Sequence, residues 1–327
     1  MCTAITYQTK DHYFGRTLDY EISFNETVTV TPRNFPFPFH CVDSISHHYA
    51  MIGMATIADG FPLYYDATNE KGLSIAGLNF PGNAVYQTIN TDKINIAPFE
   101  LIPWVLCRCQ SVKEAKQHLT KINIGAIPFS ENYALTPLHW IIADAEEAIT
   151  VEPLEDGLNI RENPIGVLTN NPPFDYHMHN LKNYLNLTSQ EPTNRFAPHI
   201  DLTPYSRGMG AIGLPGDLSS ASRFVRVAFT KLNSRSSESE NDSISQFFHI
   251  LGSVAQQEGC VKIGDHYEKT IYTSCCNIDK GIYYYTTYEN SQITAVHLHN
   301  ESLDGNELAS YKPMKRQQIR TENEKVL

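Results

Sequence analysis

An α+β fold of stacked layers follows from two features: strand-forming segments lie at both ends of the chain, and helical segments lie between them. No internal repeat or composition break marks a linker. The first thirty residues read as strands, because Ala4-Ile5-Thr6-Tyr7 and Thr27-Val28-Thr29-Val30-Thr31 are rich in β-branched and aromatic types. Thr9-Lys10-Asp11-His12 falls between two such runs and is expected to close a hairpin. A turn centred on Lys10 and Asp11 sets Cys2 opposite Asp19 and Ile5 opposite Arg16. Arg16 and Asp19 then lie on opposite faces of one strand, so a site using both needs Gly15 or a strand end to break the alternation.

Further strands are expected at residues 49–57, 73–79, 139–143, 148–152 and 165–169, mostly bounded by Gly, Pro or Asn. Residues 99–107 are apolar on most sides of a helix, and Ser111-Val112-Lys113-Glu114 is a capping box opening a helix through Leu119. Residues 222–232 and 244–257 carry helical spacing, the first through Phe224, Val225, Ala228 and Phe229. Residues 234–243 read as a Ser/Glu/Asn loop. A β-meander follows over 270–276, 282–288 and 293–297, turning at Glu289-Asn290-Ser291, and the run from Pro313 reads as a polar tail.

At 327 residues, the prior is one large domain or two ordinary ones, at about 150 residues per domain. Hydrophobic residues make up 41% and charged ones 19%, with a mean hydropathy of -0.32, which gives the chain enough apolar material for a core. Twenty-five Lys+Arg against 36 Asp+Glu leave a net charge of -11, which argues against nucleic acid and anionic lipid as partners. No apolar run approaches the roughly 20 residues that span a bilayer, and the N-terminus lacks the basic and apolar stretches of a secretion signal. A cytoplasmic protein is the expectation. Seven cysteines without a CxxC pair suit reduced thiols better than a disulfide framework.

Phosphate-loop, HExxH and EF-hand patterns are all missing. The pairs His177/His179 and His297/His299 have no third ligand nearby, so they are read as surface or strand histidines and no metal is expected. Cys107/Cys109 and Cys275/Cys276 are read as small buried hydrophobes. Cys2 differs by position. Removal of Met1 would leave a residue with both a thiol, titrating near about 8.5, and an α-amine, near about 7.7 to 8.0. Such a residue supplies nucleophile and base together and needs no separate histidine. Arg16 on the adjoining strand would favour the thiolate, and the Asp19 carboxylate would orient the amine.

Met1-Cys2-Thr3, Phe14-Gly15-Arg16-Thr17-Leu18-Asp19, Asn69-Glu70-Lys71-Gly72-Leu73, Gly77-Leu78-Asn79-Phe80-Pro81, Leu168-Thr169-Asn170-Asn171-Pro172, Gly213-Leu214-Pro215-Gly216-Asp217 and Ser222-Arg223-Phe224 together resemble the choloylglycine hydrolase family. That family comprises bile salt hydrolases and penicillin V acylases. The resemblance runs in order from Cys2 to at least Tyr288. It implies an N-terminal nucleophile hydrolase fold, a four-layer αββα sandwich of two stacked antiparallel sheets. It also implies maturation to a free N-terminal Cys and a homotetramer, with no cofactor. Motifs spread from residue 2 past residue 220 must converge on one site, so residues 1–327 are expected to form one domain.

By the same resemblance Cys2 matches the nucleophile, and Arg16 and Asp19 the pair beside it. Asn79 and Asn170 match the oxyanion and substrate-positioning residues, and Arg223 the supporting cation. The Asn170 side-chain amide and a donor at Asn79 would stabilise charge on the attacked carbonyl oxygen. Asn at 79, where penicillin V acylases resemble this pattern with Tyr, favours conjugated bile salts as substrate. Leu18, Ala58, Tyr65, Phe129 and Tyr133 fall where the family lines its steroid pocket, and an apolar groove suits a sterol. In Tyr205-Ser206-Arg207-Gly208-Met209-Gly210, Arg207 offers a planar fork to an anionic conjugate end, and the Ser206-Arg207-Gly208 triplet resembles the loop of taurine-preferring members. The alternatives are a penicillin V acylase-like amidase, a thiol enzyme with a Cys-His pair, and a bile-acid-binding protein that hydrolyses nothing.

Overall fold

A computed structural model describes residues 1–323. Strands β1 (Cys2–Gln8) and β2 (His12–Tyr20) form the first hairpin, followed by β3 (Thr27–Thr31), β4 (Met51–Ala58), β5 (Phe61–Asn69) and β6 (Ser74–Asn79). Helices α1 (Leu101–Leu106) and α2 (Val112–Leu119) come next, flanked by the short parallel pair β7 (Ile94–Ile96) and β8 (Ile122–Ile124). Then come β9 (Leu138–Ala143), β10 (Ala148–Leu154), β11 (Gly157–Glu162) and β12 (Val167–Leu168). Helices α3 (Phe174–Asn180), α4 (Ser220–Asn233) and α5 (Glu240–Gly252) precede the small hairpin β13 (Lys262–Ile263) and β14 (His266–Tyr267). Strands β15 (Lys269–Asn277), β16 (Ile282–Thr287), β17 (Asn290–His297) and β18 (Ala309–Tyr311) complete the described chain.

Two antiparallel sheets result, six strands in the order β12-β1-β2-β15-β16-β17 and eight in the order β11-β10-β9-β6-β5-β4-β3-β18. Side-chain alternation builds the layers. On β6, Ala76 and Leu78 join the core between the sheets, while Ile75 joins Leu101, Ile102, Trp104 and Val105 under α1. On the far side, Phe224, Val227, Phe247 and Leu251 of α4 and α5 pack onto the six-stranded sheet beside Ile5 and Cys275. The order is helix, sheet, sheet, helix, the expected αββα sandwich.

The first hairpin corrects the expected register by one residue. Thr9, Lys10 and Asp11 form a three-residue loop, closed by the Thr9 N–H on the Asp11 carbonyl at 3.0 Å, so Gln8 pairs with His12 and Cys2 with Leu18. Arg16 lies opposite Ala4 rather than Ile5. Arg16 and Leu18 therefore share the face of Cys2, and Asp19 points to the other face. Gly15 makes no bulge; a Cβ there would sit 2.0 Å from the Ser274 carbonyl oxygen, so glycine permits close approach of β15. The irregularity lies on β15, between Thr270 and Tyr272, opposite Asp19 and Leu18.

Helices α4 and α5 start earlier than their apolar periodicity suggests, because Ser219 and Ser239 cap them by accepting from the Ser222 and Asp242 N–H groups. Residues 240–243 of the expected Ser/Glu/Asn loop are thus the first turn of α5. Ser111 caps α2 from Glu114 N as expected, while the Glu114 carboxylate receives the Gln110 N–H, one residue before the cap. Strand β5 and helix α3 had no counterpart in the sequence reading; α3 carries His177 into the core, so His177 is neither a surface nor a strand histidine.

Candidate active site

Chain ends and turns from both sheets meet around Cys2, which is 3% exposed at the head of β1. Its backbone N–H donates to Asn170 Oδ1 at 2.7 Å, and its carbonyl accepts from Arg223 Nη1 at 2.6 Å. Arg223, in the first turns of α4, also donates to Thr3 Oγ1 and Asn170 Oδ1, at 2.6 and 2.7 Å. It is fully buried, not a solvated helix residue; burial lowers its pKa, opposed by the charges of Asp19, Cys2 and Glu268.

Asn170 follows β12 and is bound on every side. Its Oδ1 receives two donors and its Nδ2 donates to the Asn79 carbonyl at 2.7 Å, so the partners fix which end of the amide is which. Its own N–H donates to Ser220 Oγ at 2.8 Å, and its carbonyl receives His177 Nε2 at 3.0 Å. Burial holds His177 well below the ordinary imidazole range, at about 4, so the ring is neutral. Asn79 ends β6 with its Oδ1 buried and without a partner among the described residues.

Arg16 occupies the inter-sheet face. Its Nε donates to the Thr17 carbonyl and its Nη1 to the carbonyls of Tyr65 and Gly77, while Nη2 is buried with no partner among the described residues. Burial opposes its charge, yet the neighbouring Cys2, Tyr272, Asp66 and Asp19 raise its pKa overall, so a guanidinium stands permanently beside the thiol. Asp19 Oδ1 accepts from Thr270 Oγ1 at 2.6 Å and Oδ2 from Thr17 Oγ1 at 3.0 Å. The Met1 ammonium donates to the Asp19 carbonyl at 2.6 Å and also to Glu268 Oε1. All six catalytic candidates thus converge, with Cys2, Arg16 and Leu18 on one face of the hairpin and Asp19 and Arg223 on the other. The alternation needs no break, because Cys2 lies at a strand end where its nitrogen and its side chain serve different faces.

Several residues here escaped the sequence reading. Asp66, buried under Arg16, accepts from Tyr272, Tyr283 and Ser274 at 2.6, 2.7 and 3.2 Å; its burial raises the pKa, against the pull of Arg16. Glu268 is likewise raised by burial, against the Met1 ammonium. A carboxylate inside the apolar run Tyr64-Tyr65-Asp66 was the available signal for the first. Glu268 had none, since it follows the polar stretch Asp265-His266.

Of the pocket candidates, Leu18 and Ala58 are buried, Tyr65 and Phe129 partly so, and Tyr133 is exposed. Phe129 packs against Tyr133, Phe99 and Phe61 with ring centroids 5.5, 5.2 and 5.9 Å apart. Tyr65 neighbours Phe24 at 6.3 Å, which in turn packs on Tyr20 at 4.9 Å. Ser206 and Arg207 are exposed, and the hydrogen bonds of their loop tip are local, from the Ser206 N–H to Met209 Sδ and from Ser206 Oγ to the Arg207 carbonyl. A polar groove of about 430 Å³ bordered by Val85, Lys93, Asn123 and Asp156 shares no residue with this cluster. Among the described residues no three His, Cys, Asp or Glu side chains group as a metal site.

Residues 2–311 match the family described as linear amide C–N hydrolases, choloylglycine hydrolase family. The chain is 58% identical to a bile salt hydrolase/transferase of Lactiplantibacillus plantarum, over 95% of this chain and 96% of the relative. It is 42% identical to one from Clostridium perfringens, over 95% and 97%. The crystal structure of a mutant conjugated bile acid hydrolase from Clostridium perfringens superposes with a TM-score of 0.90 at 42% identity, covering 99% of this chain and 100% of that one. A penicillin V acylase from Agrobacterium tumefaciens shares the fold, with a TM-score of 0.75 at 17% identity over 95% and 91% of the two chains. With a cysteine at the head of a buried strand and the match extending over nearly the whole sequence, the chain belongs to the choloylglycine hydrolase family of linear amide C–N hydrolases.

Proposed function

We propose that the protein hydrolyses the amide bond of conjugated bile salts, releasing bile acid and taurine or glycine, with Cys2 as nucleophile. The observation that carries this reading is the setting of Cys2, its nitrogen on Asn170 Oδ1 and its thiol face beside Arg16, in a chain 58% identical to a bile salt hydrolase/transferase. Met1 must first be removed. The freed α-amine then keeps one N–H on Asn170 Oδ1 and accepts the thiol proton, and Arg16 favours the thiolate.

Attack by Cys2 Sγ on the amide carbon places negative charge on the carbonyl oxygen. One Asn170 Nδ2 hydrogen is committed to the Asn79 carbonyl, and the second, with the Asn79 side-chain amide, is left for that oxygen. Collapse breaks the C–N bond, the Cys2 ammonium protonates the departing amine, and water attacks the thioester with the α-amine as base. The relatives from Lactiplantibacillus plantarum and Clostridium perfringens carry transferase in their names. The same thioester, met by an amine instead of water, would give a new amide.

The finer readings have separate supports. Taurine preference rests on Arg207, a free fork for a sulfonate. Self-association fits the segment around α3 and α4, where Leu185, Phe196 and Tyr205 are 85%, 91% and 86% exposed and want apolar cover; a homotetramer is the form proposed. One domain fits sheets that each draw strands from both ends of the chain. No helix among the described residues is long and apolar enough to cross a membrane, and a cytoplasmic location is proposed. Mass spectrometry of the N-terminus, with assays on taurocholate, glycocholate and penicillin V side by side, tests the whole reading. Burst release of taurine excludes a mere binder, and a penicillin V rate above both bile salt rates overturns the substrate.

A further inference from the structure

Behind the site, two ionisable side chains are buried that none of the steps above uses. His139 on β9 is fully buried, and Glu152 on β10 is 2% exposed. His139 Nδ1 lies 3.0 Å from Glu152 Oε1, and His139 Nε2 donates to the Thr169 carbonyl at 2.8 Å. The Glu152 carboxylate also receives the Phe174 N–H at the head of α3, at 3.0 and 3.2 Å. Both ring nitrogens therefore have a partner within the protein, Nδ1 in the carboxylate and Nε2 in the carbonyl.

The placement of this pair matters more than its charge. His139 belongs to the eight-stranded sheet, where it pairs with Leu78, and its neighbour Leu138 pairs with Asn79. Its Nε2 reaches across to Thr169, which follows β12 at the edge of the six-stranded sheet and precedes Asn170. Its ring stacks on Phe80, the residue after Asn79, with centroids 4.0 Å apart and planes 6° apart. One imidazole therefore touches the residues next to both asparagines that flank Cys2, and it does so across the gap between the sheets.

We infer that the His139–Glu152 pair is a positioning device that fixes Asn79 and Asn170 relative to each other across Cys2. A buried ion pair is a poor source of stability, since apolar residues of similar volume often replace one at little cost, but it fixes geometry wherever a shifted partner would leave a charge unpaired. Amide attack is sensitive to such geometry, because a displacement of about 1 Å costs roughly a hundredfold in rate. The inference rests on the proposed function, but its test compares variants with the wild-type enzyme. Absence of taurocholate hydrolysis by the wild type defeats the function, while the ratios below decide the pair.

The double variant His139→Phe/Glu152→Leu keeps the stack on Phe80 and removes both ionisable groups. At a temperature where the variant is folded, its kcat on taurocholate is expected to fall by roughly a hundredfold with KM within about threefold of wild type; the melting temperature also falls, because the Thr169 carbonyl and the Phe174 N–H lose their partners. Glu152→Gln rebuilds a neutral chain, Phe174 N–H to Gln Oε1, Gln Nε2–H to His139 Nδ1, and His139 Nε2–H to Thr169, and should recover most of the loss. A folded double variant with kcat within threefold of wild type overturns the inference. If that variant does not fold, Glu152→Leu against Glu152→Gln decides: a kcat ratio below about ten between them overturns it, and a larger ratio at unchanged KM supports it.

Discussion

The rim of the site around Asn170 and the loop around Arg207 are built on opposite plans. At Asn170 the backbone N–H, the carbonyl and both ends of the side-chain amide are all bound, to Ser220, His177, Asn79, Cys2 and Arg223. At Arg207 the hydrogen bonds of the loop tip run within the tip itself, and the side chain is exposed. Bond-breaking needs groups held in place before substrate arrives, whereas recognition of the conjugate's outer end tolerates, and can use, a segment that adapts. The bound rim should therefore answer to substitution through kcat, and the free loop through the ratio between substrates.

The largest effect is expected at Cys2. Cys2→Ser should lower turnover by about a thousandfold or more, because an amine alone activates a hydroxyl poorly, and a rate within tenfold of wild type would break the mechanism. Fully active protein that retains Met1, seen by mass spectrometry, would break it equally. Asn170→Ala comes next. It removes the acceptor for the Cys2 nitrogen and the donor proposed for the oxyanion, so steady-state kinetics should show kcat reduced by about a hundredfold to a thousandfold, more than any change at the loop.

The two regions also differ in how much of them was legible from residues. The layers were readable, because β-branched runs and apolar helical spacing follow from burial on one face or two. The six catalytic candidates came from ordered motifs, and the structure brings them together. The hairpin register slipped by one because Lys10-Asp11 suggests a two-residue turn while the chain closes over three. Asp66 offered one signal, a carboxylate inside an apolar run, but no role; His139, Glu152 and His177 offered none, since the meaning of the pair depends on a partner 13 positions away and that of His177 on a helix too short to show a period. At the loop the residues suggested a ligand contact, and the structure places Ser206 and Arg207 at an exposed tip.

His177 offers a smaller, pH-dependent break in the comparison. Burial holds its pKa at about 4 in the folded protein against about 6.5 unfolded, and Nδ1 is buried with no partner among the described residues to take up a proton there. Between pH 6.5 and 4 the unfolded chain binds a proton that the native one refuses. Stability is therefore intact above pH 6.5 and lost as pH falls toward 4, by up to about 3 kcal/mol from this group. His177→Phe keeps a ring to stack on Phe224, which lies 4.7 Å away, and removes the titration. Urea midpoints for the variant should fall less steeply than those of wild type between pH 6.5 and 5; equal slopes would show that the bound rim is not held by a neutral imidazole.

The smallest effect, and the one that most sharpens the contrast, is expected at Arg207. The side chain is exposed and has no hydrogen bond among the described residues to lose, so Arg207→Ala should leave the melting temperature unchanged and glycocholate hydrolysis nearly so. An exposed guanidinium gains about 1 kcal/mol or less from an anionic partner, which is at most about fivefold in rate. Sulfonate presents three acceptor oxygens to the planar fork and carboxylate two, so the loss should be concentrated in kcat/KM for taurocholate. Equal losses on both conjugates would mean that Arg207 acts as a general positive charge. No loss on either would leave the conjugate's outer end in solvent, with discrimination, if any, made nearer Cys2 by side chains that are already fixed.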